Sequence, residues 1–277
     1  MSNMIHESAR DRLPDVFATS EYVIEKLHQW IDVSQPSAPT TRLDIVLVAI
    51  VVRAFNLYRS INNLLATDHW EDAGILSRSM YELVLNLEEI QRDKGKEEAK
   101  AGKYLKFSLL QKFLHRKMII EYYHNTGADN KEEYLKVKEL ERNAKSLFKE
   151  FRSSRGYSEW QDYWHGKSVY KLAQESKNKM RLPHYEISYS FFSALSHSGP
   201  TPVMSQMIIG NTEKETEELS QIHLSEDEKT NLILVLSLAT VWLLEIVLRC
   251  RTVIPLYDPQ WNEIVSNKFH ELILTEK

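Results

Sequence analysis

The chain has 277 residues, 43% hydrophobic and 27% charged, with a formal net charge of -4. That is an ordinary globular composition, and the slight negative balance excludes a global basic field of the kind that draws nucleic acid non-specifically. Eight Gly, eight Pro and one Cys disfavour glycine-rich phosphate loops and sheet-dense folds, and exclude a disulfide framework or a thiolate metal site.

The N-terminus, MSNMIHESARDRLPDVF, carries no apolar run. No signal peptide is expected, and the expected location is the cytoplasm. Hydrophobic periodicity predicts about nine helices in one helical domain over 1–277. A peripheral N-terminal helix and a loop with two prolines occupy 11–40. The core spans 41–253 and begins with a helix over 41–66. Thr67 or Asp68 is placed to cap the next helix, which runs to residue 92, with Glu71 as the reciprocal partner of Asp68. A charged hairpin arm follows over 97–150, broken at TGADN; its second helix shows an apolar stripe at Leu135, Leu140, Leu147 and Phe148.

After an aromatic stretch, YSEWQDYWHG, helices are predicted over 167–179 and 184–198. Ser225 and Glu228 form a capping box for a long apolar helix, NLILVLSLATVWLLEIVL. It approaches the roughly 20 residues that a membrane span requires. Glu245 inside it and Arg249 and Arg251 at its end favour the central helix of a bundle, and no membrane association is expected. A last helix covers 260–274. The fold class is all-α: a multi-helix bundle around the long apolar C-terminal helix. Apolar surface left on that helix favours a homodimer.

Three constellations carry polar chemistry. On a 100° helical projection, Glu186, Tyr189, Ser190, Ser193 and His197 share one face of YSFFSALSH, and Ile187, Phe191, Phe192, Ala194 and Leu195 fill the other. Hydroxyls and imidazole suit a desolvated network better than a solvated face. In RSMYE, Arg78 and Glu82 stand one turn apart among apolar neighbours. Their Arg-then-Glu order is the weaker one for a local pair, so both are expected to reach across to another helix. In WHGKS, Trp164 and His165 sit at a loop-to-helix junction, where free backbone N–H groups could hold an anion or where the Trp anchors a loop.

The order R-S-x-x-E, W-x-G-K-S, Y-x-x-x-S-x-x-x-H resembles a bacterial helical family catalogued only as a domain of unknown function. The resemblance covers about residues 43–248 and extends, more distantly, to the HEPN superfamily. Many HEPN proteins are metal-independent RNases of toxin–antitoxin and phage-defence systems. The resemblance implies a phosphate-binding Arg78 and a general acid/base His197. Glu82, Tyr189 and Ser193 would position them, supported by Trp164 and His165. It also implies RNA, an antitoxin or another defence-system protein as partners. The R-x(4–6)-H spacing of catalytic HEPN sites is missing: Arg181 is too close to His184, and Arg116 too far from His124.

The alternative is a non-catalytic interaction or scaffold protein, in which Arg78, Glu82 and His197 form a buried structural network that fixes helix register. No cofactor and no metal are expected. Glu25-x-x-His28 and Glu121-x-x-His124 are spaced for a di-iron bundle, but their order differs from ferritin-like proteins and chance yields such pairs. Cys250, beside Arg249 and Arg251, reads as a small packing residue, although those cations could lower its pKa.

Overall fold

The computed structural model describes residues 8–33, 40–127, 131–153, 159–190, 192 and 228–254, together with 260, 261, 263, 265, 267 and 268. Its named elements are α1 (Ala9–Arg12), α2 (Pro14–Val33), α3 (Arg42–Ala66), α4 (Trp70–Gln91), α5 (Glu97–Asn125), α6 (Lys131–Leu147), α7 (Val169–Glu175), α8 (Arg181–His184) and α9 (Glu228–Arg249). Short 3-10 turns lie at Lys149–Phe151 and Arg251–Val253, and a π-helical segment at Tyr185–Ser190. Among the described residues there is no strand, only an isolated antiparallel bridge between Arg152 and Trp160. The fold is all-α.

The residues group into two compact units. The first comprises Met1–Ala38, Leu47–Glu88 and Ala173–Lys277; the second comprises Pro39–Val46 and Glu89–Leu172.

In the first unit, α3 buries Ile50, Ala54, Tyr58, Ile61 and Leu65, a stripe at helical spacing. Val16, Phe17, Val23 and Leu27 of α2, and Met80, Tyr81, Val84 and Leu87 of α4, are buried as well. The apolar helix α9 contributes Val235, Leu236, Ala239, Trp242, Leu243, Ile246 and Val247. Its window Thr230–Arg249 has a mean hydropathy of 2.3, long and apolar enough to cross a membrane, and 56% of it is buried within the protein. Two polar positions tie α9 inward. The Tyr58 hydroxyl lies 2.8 Å from that of Thr240 and accepts from Ser20 at 3.0 Å; Glu245 joins an ionic centre described below. Three α9 residues at seven-residue intervals, Leu234, Val241 and Leu248, stay exposed.

In the second unit, α5 and α6 form the hairpin. Lys138 pairs with Glu121 at 2.9 Å, Lys106 with Glu150 at 2.6 Å, and Lys117 with Glu141. The expected stripe on α6 is corrected. Leu135, Leu140 and Leu147 are exposed, while Phe148, the fourth residue of that stripe, is buried together with Val137 and Ala144. Small and β-branched side chains let two helices approach closely, so the larger leucines end up outside. At the start of α3, Thr41 and Asp44 cap reciprocally, each side chain accepting the other's backbone N–H at 3.0–3.2 Å. Glu98 accepts the N–H groups of Arg42 and Leu43 at 3.1 and 2.9 Å, so a carboxylate sits on the positive end of the helix.

Candidate functional site

Arg78 and Glu82 project from α4, and Tyr189 from the π-helical segment. The Arg78 Nη2 donates to the Tyr189 hydroxyl at 2.8 Å, and its guanidinium carbon lies 4.4 Å from the centre of that ring. Glu82 stands 3.6 Å from Arg78, with side-chain exposures of 34% and 25% respectively. The local i,i+4 pair is therefore weak and half-solvated, worth a fraction of ~1 kcal/mol. Arg78 does reach across to another helix, and its partner there is an aromatic hydroxyl and face. Its Nε–H is buried without an acceptor.

The helix carrying Tyr189 departs from the α-helical projection. Pro183 lies in the first turn of α8, where no N–H is needed. Beyond His184 the chain widens into i→i+5 bonding. The Ser188 hydroxyl donates to the His184 carbonyl, competing with the backbone ladder. A wider turn shifts every later side chain, so Ile187, expected on the apolar face, is exposed and Ser188 is buried. Tyr189 is buried and stacks on Tyr185 at 5.0 Å. Glu186 is exposed, and Ser193 and His197 of the expected stripe lie outside the described residues.

The most desolvated charge in the first unit belongs to residues that sequence reasoning did not select. Arg181 is 0% exposed. Its Nε donates to Glu88 at 2.9 Å, and its Nη2 pairs with both Glu88 and Glu245. Arg249 closes the set, 3.2 Å from Glu88 and 3.0 Å from Glu245. Two guanidinium and two carboxylate groups from α4, α8 and α9 thus form a neutral cluster. Ser176 donates to Glu88 at 2.7 Å, and the Tyr81 hydroxyl donates to the Arg181 carbonyl at 2.6 Å. Burial pushes the Tyr81 phenol well above its ordinary range.

His184 adjoins the cluster. Trp242 Nε1–H donates to its Nδ1 at 3.3 Å, which places the imidazole proton on Nε2. Burial, reinforced by Arg181, lowers its pKa and keeps it neutral. The sequence offered two usable signals: RLPH places Arg181 and His184 on one short turn, and Glu245 is a lone carboxylate in an apolar stretch that requires a cation.

Trp164 and His165 belong to the second unit. Trp164 is buried and meets Tyr104 edge-on at 5.6 Å, the geometry of a loop anchor. His165 Nδ1 accepts the Lys167 N–H at 3.1 Å. Burial pushes its pKa down to about 4, and Lys167, Lys103 and Arg92 act in the same direction against Glu89. Glu89 is itself buried and surrounded by Arg92 at 2.9 Å and Lys100 and Lys167 at 3.4 Å each.

Among the described residues no three His, Cys, Asp or Glu side chains converge on a point that could hold a metal. His28 meets the Phe55 ring at 6.2 Å, and His124 stacks on Tyr134 at 3.9 Å. The Cys250 thiol is buried, and burial outweighs Arg249, pushing its pKa up to about 12. It packs as a small apolar residue.

No curated protein and no solved structure matches the chain. A family model does match residues 44–216, most of α3 through the π-helical segment and on beyond it, with both RSMYE and WHGKS inside. The chain belongs to the family of unknown function DUF5677.

Proposed function

We propose that this chain is a non-catalytic helical interaction protein of the cytoplasm, whose ionic centre fixes helix register while its outer surface binds a partner. The carrying observation is the neutral cluster of Arg181, Glu88, Glu245 and Arg249, with Arg181 wholly buried. Its charges are spent on one another, and His184 beside them accepts from Trp242. A proton-transfer group needs a pKa near the working pH and an open position; a register-fixing network needs neither. The expected partner is a second copy of the chain, packed along Leu234, Val241 and Leu248. Light scattering on the purified protein tests this: a dimer is expected, with Val241→Glu shifted to monomer and its melting temperature otherwise retained. A wild-type monomer at tens of micromolar counts against the reading.

A second reading is favoured by Arg78. Its guanidinium is held by Tyr189, partly open, with an Nε–H that lacks an acceptor, as suits an arginine awaiting a phosphate. On this reading the chain is a HEPN-like effector that cleaves RNA in a toxin–antitoxin or phage-defence setting, with His197 as acid/base. RNA cleavage by the wild type, lost in Arg78→Ala and His197→Ala, would establish it over the first. RNA left intact by all three retires it.

A further inference from the structure

Helix α5 is apolar on two sides. Phe107, Leu110 and Ile120 are buried, while Leu109, Met118, Ile119, Tyr122 and Tyr123 are exposed. A helix covered on one side alone carries polar residues on the other, and a run of large exposed hydrophobes marks a surface that meets something. Lys112, Arg116, Ile119 and Tyr123 stand at i, i+4, i+7 and i+11, one line along the helix. With His115 and Ile120, and Glu133 from α6, they line an open cavity of about 600 Å³. From Lys112 to Tyr123 it runs about 16 Å at roughly 1.5 Å per residue, three helical turns. Among the described residues no carboxylate pairs with Lys112, and Arg116 stands 4.0 Å from Glu133.

The walls decide the class of occupant. Cations beside an aliphatic floor attract an anion that also carries apolar side chains. A nucleic-acid strand fits poorly. Glu133 stands beside Arg116, Ile119 and Ile120 offer no ring for a base, and Tyr122 and Tyr123 meet edge-on at 65° and present no flat stack. A second copy of the chain fits poorly as well, because a two-fold contact sets the same patch against itself, cation on cation. A straight line of contacts three turns long matches a helix laid along α5.

We propose that this groove on α5 is a docking site for an acidic amphipathic helix of another protein. The apolar side chains of that helix rest on Ile119, Ile120 and Tyr123, and its carboxylates meet Lys112 and Arg116. Neither the α9 stripe nor Arg78 takes part.

The test uses a synthetic fluorescent peptide of about 18 residues, long enough to hold helical form, with leucines on one face and glutamates on the other. A version with lysine in place of glutamate is its control. Fluorescence anisotropy with the full-length protein at low salt reads binding. The glutamate peptide is expected to bind at least about tenfold more tightly than the lysine peptide. Lys112→Glu/Arg116→Glu should reverse that preference. Tyr123→Ala should weaken the glutamate peptide severalfold, and it carries the test alone if the double variant does not fold. Lys136→Gln, at an exposed lysine on α6, should leave binding unchanged. So should Val241→Glu, which separates this site from dimerisation through α9. The proposal is overturned if the glutamate peptide does not bind at up to about 1 mM, if the lysine peptide binds equally well, or if Tyr123→Ala and the folded double variant bind like the wild type. It is also overturned if a ten-nucleotide oligo(A) RNA or phosphatidylglycerol vesicles displace the peptide from the wild type and fail to bind the charge-reversed protein, since the groove would then belong to that ligand.

Discussion

Arg181 Nε lies 2.9 Å from a carboxylate oxygen of Glu88, ninety-three positions away in the chain. With Arg181 wholly buried, replacing it by Met strips Glu88 and Glu245 of their best cation and leaves both in a low-dielectric setting. The expected loss is about 3–5 kcal/mol of unfolding free energy. Arg78→Ala, by contrast, removes a partly exposed side chain and one ring contact, and should cost about 1 kcal/mol. Urea unfolding of both variants reads the difference. An Arg78 variant less stable than the Arg181 variant would place the register-fixing centre at the wrong pair.

Tyr58→Phe tests the hydroxyl chain Ser20–Tyr58–Thr240. The phenol is fully buried, and burial pushes its pKa up to about 12, so it acts as a neutral donor and acceptor throughout the physiological range. Thr240 keeps a second bond to the Leu236 carbonyl at 2.7 Å, but Ser20 loses its acceptor. A loss of about 1–2 kcal/mol is expected in the same urea assay. Ser20→Ala on the Phe background should then cost little, since both ends of the bond are gone.

Gly74 sits in α4, where alanine would ordinarily gain about 1 kcal/mol in helix propensity. Here a Cβ would lie 2.5 Å from Cδ1 of Phe192, a buried ring. Overpacking of that kind costs about 1–3 kcal/mol, so Gly74→Ala should be net destabilising. Phe192→Leu makes room, and the two changes together should be less harmful than their sum. Additive losses in the double-mutant cycle would mean that the ring does not press on this glycine.

The pH dependence of stability follows from His165. Its folded pKa of about 4 lies below the ordinary 6.5, so between those values the unfolded chain binds more protons and stability rises with pH. The contribution is whole above about pH 6.5 and drains away as pH falls toward 4. Going from pH 7 to pH 5 should cost about 2 kcal/mol through this residue alone. His165→Gln should flatten that slope in thermal melts at constant ionic strength. A variant with the wild-type slope would show that this imidazole is not held neutral.

The all-α class and the span Glu97–Asn125 were legible because glycine is scarce and apolar residues recur at helical spacing up to clear breaks. The buried side of α6 was not: a rule that picks the largest hydrophobes selects Leu135, Leu140 and Leu147, whereas close helix packing selects Val137 and Ala144. The reach of Arg78 toward the helix of Tyr189 was legible from its apolar surroundings. The ionic centre was not, because RLPH looks like a polar surface turn until Glu88 and Glu245 are brought to it by the fold. The wider turn over Tyr185–Ser190 also defeats any projection at a fixed angle.

Glu245 has a bearing on sorting as well as on packing. A nascent chain presenting Thr230–Arg249 offers the insertion machinery a stretch of bilayer-grade hydropathy. A charge within such a stretch raises the cost of entering hydrocarbon, less so toward its end; this carboxylate, sixteenth of the twenty residues, has Arg249 one turn on at 3.0 Å and gains Arg181 only in the folded bundle. The acid that clamps the finished bundle thus also makes this helix costlier to place in hydrocarbon than its hydropathy alone implies.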